Sequence, residues 1–134
     1  MSEMTAEDYD SVQRAQQALV DRGWRQGTLN EHVDGWASLV GVVEAGYTMT
    51  VDDYTNDLAV RQWLELAEPM LTERVRDSLQ SRLAPLDERF RRATVVPSRP
   101  LPGCVAGWWC RLPRTLVKEL REDAIRMELI PSEQ

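Results

Sequence analysis

The sequence lacks the features that mark several common protein classes. No stretch approaches the ~20 consecutive apolar residues that a membrane-spanning helix needs, and the N-terminus lacks the basic and apolar regions of a signal peptide. We therefore expect no membrane insertion and a cytoplasmic location. No glycine-rich phosphate loop and no serine in a nucleophile-elbow pattern occurs, so nucleotide hydrolysis and acyl transfer have little support.

Cysteine and lysine are both scarce. The two cysteines, Cys104 and Cys110, have five residues between them, whereas metal and redox pairs more often have two. Because thiols in a reducing compartment are usually unpaired, we predict two unbonded structural thiols. The basic residues are 15 arginines and the single Lys118, a bias typical of high-GC coding, as in actinobacterial genomes.

Positive charge is rare in the first half of the chain. The 134 residues include 16 basic and 22 acidic side chains and have a formal net charge of -6. Residues 1–68 contain 4 arginines and 13 acids, a net charge of -9, and residues 69–134 have a net charge of +3. Because an acidic protein is repelled by nucleic acid and by anionic lipid, we expect neither as a partner.

Three segments of the acidic half begin with a threonine followed three residues later by a carboxylate, which is the capping box of a helix start. The pairs are Thr5 with Asp8, Thr28 with Glu31, and Thr50 with Asp53. We expect the first helix to end at Gly23 and the second at Gly46, because glycine adopts the left-handed conformation without a clash. The third should span about 51–67, before Pro69. The second helix has the broadest apolar face, so we expect it to be central.

The second half continues with an apolar seam at helical spacing. Its members are Leu71, Val75, Leu79, Leu83, Leu86 and Phe90. Pro85 should kink this helix or begin a new one. Residues 94–107 are rich in proline and read as a loop, and the flanking stretches 94–96 and 108–111 are candidates for a small hairpin. Pro113 should then begin the last helix.

These patterns predict a mainly α fold, a compact bundle of five or six helices with a small two-stranded β insertion near residues 94–111. The length fits a single globular domain over residues 1–134. Its acidic helical half spans residues 1–68, and its mildly basic half spans residues 69–134, with a Pro- and Trp-rich insertion at 94–112.

The first functional hypothesis is a small acidic protein that binds a basic protein, as bacterial immunity proteins and antitoxins neutralise basic toxins or enzymes. Acidic surfaces associate with positive clefts rapidly because long-range attraction steers the encounter. Tyr54 or Trp63 would provide an aromatic anchor. The carboxylates predicted to contact the partner are Glu44, Asp52, Asp53, Asp57, Glu65 and Glu68.

Two other classes of function stay open. A regulatory or assembly adaptor, including a homodimer, would use the Trp-rich insertion, where an outward-facing Trp109 would be the contact residue. A ligand-binding domain or enzyme would have a pocket near His32, Trp36 and Tyr54. Since His32 lies on an apolar helix stripe without converging partners, a neutral histidine hydrogen-bonded beside the core is the simpler interpretation. We predict no catalytic residues.

No cofactor and no metal site is predicted. Asp52, Asp53 and Asp57 are carboxylates of the kind that hold magnesium, but a first helical turn also favours acidic side chains. Six arginines surround the insertion and could form a basic patch: Arg89, Arg91, Arg92, Arg99, Arg111 and Arg114. We expect them to be solvated or to pair with the acidic half, with nucleic-acid contact as the alternative.

Overall fold

The computed structural model describes residues 3–104 and 107–131. Its elements are α1 (Ala6–Asp21), α2 (Leu29–Ala45), α3 (Val51–Ala67), a 3-10 turn (Glu68–Met70), α4 (Glu73–Arg92), β1 (Thr94–Val95), β2 (Leu112–Pro113) and α5 (Lys118–Arg126). This architecture confirms the helical bundle with a small β insertion. Within the described ranges, no helix combines the length and the apolar character needed to cross a membrane.

All three predicted capping boxes are formed. At α1 the Thr5 hydroxyl accepts the Asp8 N–H at 3.2 Å, and the Asp8 carboxylate accepts the Thr5 N–H at 2.8 Å. Each box satisfies two backbone donors that the helix itself leaves without a partner. The predicted starts of α1, α2 and α3 are therefore confirmed.

The core lies between α2, α3 and α4. The α2 helix packs against both of the others, and α3 also contacts α1 and α5. Trp36 of α2 is fully buried and its ring lies 4.7 Å from that of Phe90 in α4. The broad apolar face of α2 is buried as its spacing predicts, but α3, which contacts α1, α2 and α5, has more helix neighbours than α2.

The α4 helix is one continuous helix with Pro85 inside it. The alternative that a new helix begins at Pro85 is therefore wrong. Proline removes one hydrogen-bond donor from a helix interior. Apolar side chains on both sides of it are nevertheless buried in the same core, namely Val75, Leu79, Leu83 and Phe90. Their burial keeps the two halves of the helix together.

The insertion differs from the predicted one at its second strand. β1 pairs with Leu112–Pro113, with Thr94 opposite Pro113, whereas residues 108 and 109 lie in a turn and residues 110 and 111 have no regular structure. In a two-stranded sheet both strands are edges, so the missing proline N–H need not leave a gap in the ladder. Because Pro113 belongs to β2, the last helix begins at Lys118 and not at Pro113.

Cys104 and Cys110 form a disulfide. The prediction of two unbonded thiols is wrong. The chain turns at Gly103, where φ is +78°, and again where the Cys110 N–H bonds to the Gly107 carbonyl. These turns bring the two Cα atoms to 6.0 Å, within the range of about 4.4–6.8 Å that a disulfide spans.

Candidate protein-binding surface

Glu44, the one predicted contact residue on α2, is neutralised by the chain itself. Its carboxylate accepts two hydrogen bonds from Arg89 of α4, at 2.6 and 3.1 Å. These charge-assisted bonds hold the pKa of Glu44 below its usual range. Glu44 is exposed, but its charge is already matched within the protein.

Glu65 and Glu68, near the end of α3, are also engaged. Glu65 accepts a hydrogen bond from Arg61 at 3.0 Å, and Glu68 accepts one from Gln80 at 2.7 Å. Both glutamates line a shallow surface depression of about 360 Å³ that also contains Trp108. They lie apart from the aspartates at the other end of α3.

The three aspartates at the start of α3 have different surroundings. Asp53 accepts hydrogen bonds from the N–H and hydroxyl of Thr50 and is half-buried. Asp57 accepts the Tyr47 hydroxyl at 2.5 Å, and burial together with this bond raises the pKa of Tyr47. The Asp52 carboxylate is exposed and has no side-chain partner among the described residues. Asp52 and Asp57 thus leave negative charge at the surface.

A stretch free of cations connects these aspartates with α2. Residues 26–60 contain six carboxylates and no lysine or arginine. They include all of α2 and the first half of α3, two helices that pack against each other. One of the six, Glu44, is paired with Arg89. The other five have no salt-bridge partner within the described chain: Glu31, Asp34, Asp52, Asp53 and Asp57. We call these five residues the α2–α3 acidic surface.

The predicted aromatic anchors are buried. Tyr54 is 0% exposed, Trp63 is 1% exposed and Trp109 is 5% exposed. Tyr54 donates its hydroxyl to the Arg111 carbonyl at 2.6 Å, which ties α3 to the insertion. A side chain this buried has little area to offer a partner, so the roles expected for these three aromatics are not supported by their positions.

His32 is half-buried and bonded, as the simpler interpretation of this residue requires. Its ring stacks on Trp63 with centroids 3.6 Å apart, and its Nδ1 lies 2.8 Å from the Thr28 carbonyl, which identifies Nδ1 as the donor. A surface cleft of about 580 Å³ lies beside it, lined also by Trp24 and Asp57. Trp36 and Tyr54, expected to line a pocket with His32, are in the core instead.

An ionic network missing from the sequence predictions lies under the insertion. Arg61 of α3 donates two hydrogen bonds to Asp87 of α4, at 3.1 and 2.9 Å. The Trp36 indole N–H donates to the same carboxylate at 2.9 Å. Arg61 and Asp87 are 5% and 8% exposed. Each occupies a position on the apolar stripe of its helix. Two opposite charges at such positions are the sequence feature that could have predicted the buried pair.

Two tryptophans cover this network. The Arg61 guanidinium carbon lies 5.4 Å from the Trp108 ring centroid and 5.7 Å from that of Trp109. Both tryptophans belong to the loop closed by the disulfide. A Cβ on Gly107 would lie 2.5 Å from the Trp109 ring, so a glycine is needed for this ring to fold back. The insertion therefore acts as a lid over the buried ion pair.

No group of three or more potential metal ligands occurs in the part of the chain that the structure describes. Comparison with known proteins adds no assignment: no family model, no curated protein and no solved structure matches the chain. The surface itself is therefore the basis for a functional proposal.

Proposed function

We propose that this protein binds a basic protein through the α2–α3 acidic surface, and that it acts as a neutraliser of the immunity-protein or antitoxin kind. The observation that carries the proposal is the 35-residue stretch without a cation, from residue 26 to residue 60. Its five carboxylates without a salt-bridge partner produce a negative electrostatic field, and the stretch contains no arginine or lysine to cancel it. Such a field accelerates the approach of a positively charged partner.

The location of the other arginines supports this proposal. Of the four arginines in residues 1–68, Arg61 is buried and faces Asp87. The remaining three, Arg14, Arg22 and Arg25, belong to α1 and the loop that follows it. Arg14 lines a cleft with Glu31, and Arg22 and Arg25 line one with Asp57, but none of them forms a salt bridge with these carboxylates. The surface of α2 and the start of α3 is thus more acidic than the net charge of the whole chain suggests.

A cytoplasmic location belongs to this proposal, and the disulfide weighs against it. Disulfides persist mainly in oxidising compartments. Alkylation of free thiols in intact host cells, followed by mass spectrometry of the peptide with Cys104 and Cys110, measures the state in the cell. Alkylated cysteines would support the cytoplasm, and an intact disulfide would place the protein elsewhere.

Co-purification tests the proposed function. The tagged full-length chain is expected to retain the product of the adjacent gene from the native host, and that product should be toxic when expressed alone. Because surface electrostatics are screened by ions, the complex should form more slowly as salt is raised. A harmless neighbour with no measurable binding would contradict the proposal.

A further inference from the structure

The six arginines around the insertion form two groups. Three are neutralised by carboxylates of the chain: Arg89 by Glu44, Arg92 by Glu88 and Arg99 by Glu128. The other three, Arg91, Arg111 and Arg114, have no carboxylate partner among the described residues. The unpaired positive charge of this region is therefore concentrated in one group.

Acceptors in β1 and at the end of α4 hold two of these arginines. Arg111 donates from Nε to the Thr94 hydroxyl at 2.8 Å and from Nη2 to the Thr94 carbonyl at 3.1 Å. Arg114 donates from Nε to the Arg92 carbonyl at 2.9 Å. These bonds order both guanidinium groups but leave further N–H donors on each, since a guanidinium has five.

Arg91 is ordered differently. Its guanidinium carbon lies 4.0 Å from the centroid of the Trp108 ring, which is stacking distance. Trp108 is itself held by edge contacts with Trp36 and Phe90. The Arg91 side chain makes no hydrogen bond within the described chain, so its donors are available.

Arg111 is repelled by the other two charges. Burial, and then repulsion from Arg114 and Arg91, lowers the pKa of Arg111. The carbonyl acceptors at the helix end compensate only partly, because they carry partial charges. An anion at this position would relieve the repulsion and use donors that are already ordered.

We propose that Arg91, Arg111 and Arg114 form a binding site for a small phosphate-bearing ligand. Guanidinium groups match phosphate oxygens with paired hydrogen bonds. The site is focal, because the neighbouring Arg89 and Arg92 are neutralised and give no continuous track for a nucleic-acid backbone. Trp108 has Arg91 at 4.0 Å and Arg61 at 5.4 Å, so its ring is not free to stack on a base.

Calorimetric titration of inorganic pyrophosphate into the full chain, in phosphate-free buffer, tests this site. We expect saturable binding at one site, with the Kd raised about tenfold by Arg91→Gln and by Arg114→Gln, since charged hydrogen bonds have this worth. Arg99→Gln and Arg126→Gln are matched controls, because each of these exposed arginines already pairs with a carboxylate. They should change the Kd less than twofold.

Titrations with other ligands distinguish between the possible sources of the phosphate group. Inorganic phosphate should bind more weakly than pyrophosphate, and a nucleoside triphosphate should bind like pyrophosphate, because only phosphate groups are recognised. Arg114→Lys keeps the charge without the planar fork and should recover part of the affinity. Thermal melts matching the wild type would show that the variants fold.

Three results would overturn the proposal. The first is the absence of saturable pyrophosphate binding to the folded wild type. The second is an equal loss of affinity in the Arg99 and Arg126 controls, which would indicate diffuse attraction. The third is tighter binding of a single-stranded DNA oligonucleotide than of pyrophosphate at the same salt concentration, which would indicate a nucleic-acid site.

Discussion

Charged side chains form ion pairs in the interior but have no salt-bridge partners on the α2–α3 acidic surface. Under the insertion, the Arg61 guanidinium and the Asp87 carboxylate are buried and satisfied by each other and by Trp36 and Glu65. On the acidic surface, five carboxylates have no salt-bridge partner within the described residues, although the chain contains 15 arginines. Charge that must be buried is paired, and charge left at this surface is not.

This difference separates a structural role from a binding role. Removing one member of a buried pair is costly because it leaves a charge without a partner. Glu31 and Asp53 complete capping boxes and Asp57 accepts the Tyr47 hydroxyl. Exposed carboxylates without such bonds, Asp34 and Asp52, add little to folding stability. We therefore assign Arg61 and Asp87 to the fold, and our proposal that the acidic surface binds a partner rests on its carboxylates without a salt bridge.

The largest expected effect comes from breaking the buried pair. Asp87→Asn keeps the size of the side chain but removes the charge that faces Arg61. We expect the free energy of unfolding to fall by about 3–5 kcal/mol, measured by urea denaturation.

Glu88→Gln is the matched control for this variant. It removes the neighbouring carboxylate, which forms an exposed pair with Arg92 at 3.1 Å. Its expected loss is below about 1 kcal/mol. Equal losses in the two variants would show that the interior pair has no special structural role.

Releasing the lid by removing its disulfide should have an intermediate effect on the free energy of unfolding. The Cys104→Ser/Cys110→Ser variant removes a cross-link between residues six apart, for which chain entropy predicts a loss of about 2 kcal/mol. Because Trp108 and Trp109 belong to the closed loop, their fluorescence should shift toward that of solvated indole. Reductant should reproduce both changes in the wild type and leave the variant unaffected. Unchanged stability and fluorescence would contradict the role of a lid.

A smaller effect is expected at Asp8, where α1 meets the start of α4. Hydrogen bonds from the Thr72 hydroxyl, at 2.6 Å, and from the Thr5 N–H lower the pKa of Asp8. Because the folded pKa is the lower one, the stabilisation is complete above the ordinary pKa of 3.8. It is lost as the pH falls from there through the folded value.

Acid titration of Asp8→Asn measures this contribution. The variant should be less stable than the wild type at neutral pH, and the difference should vanish in strong acid. Asp10→Asn, at an exposed position of the same helix, is the control for the general effect of removing one carboxylate from α1. A constant difference between wild type and Asp8→Asn across the pH range would rule out the assignment.

Local signals in the sequence predict much of this fold. The capping boxes at Thr5, Thr28 and Thr50 depend on residues three positions apart, so they need no knowledge of the tertiary structure. The apolar spacing also places Tyr54 and Trp63 on a buried stripe. Their use as exposed anchors conflicted with that same spacing, and the structure favours the spacing.

Features that depend on the path of the chain could not be predicted in this way. The disulfide depends on turns at Gly103 and Gly107 that bring together two thiols six residues apart. The bond between Arg61 and Asp87 joins residues on two helices that are 26 positions apart in sequence. A charged residue on an apolar stripe indicates that a partner is needed, but only the packing of α3 on α4 identifies it.

The central claim is that the unpaired carboxylates of the α2–α3 acidic surface bind a basic partner. The most direct measurement compares the association rate of the partner with two charge reversals, Asp34→Lys/Asp52→Lys and Glu119→Lys/Glu122→Lys. Both pairs are exposed, and each includes one acid in a first helical turn. We predict at least a tenfold slower association for the first variant and less than a twofold change for the second. Equal rates for the two variants would contradict the claim.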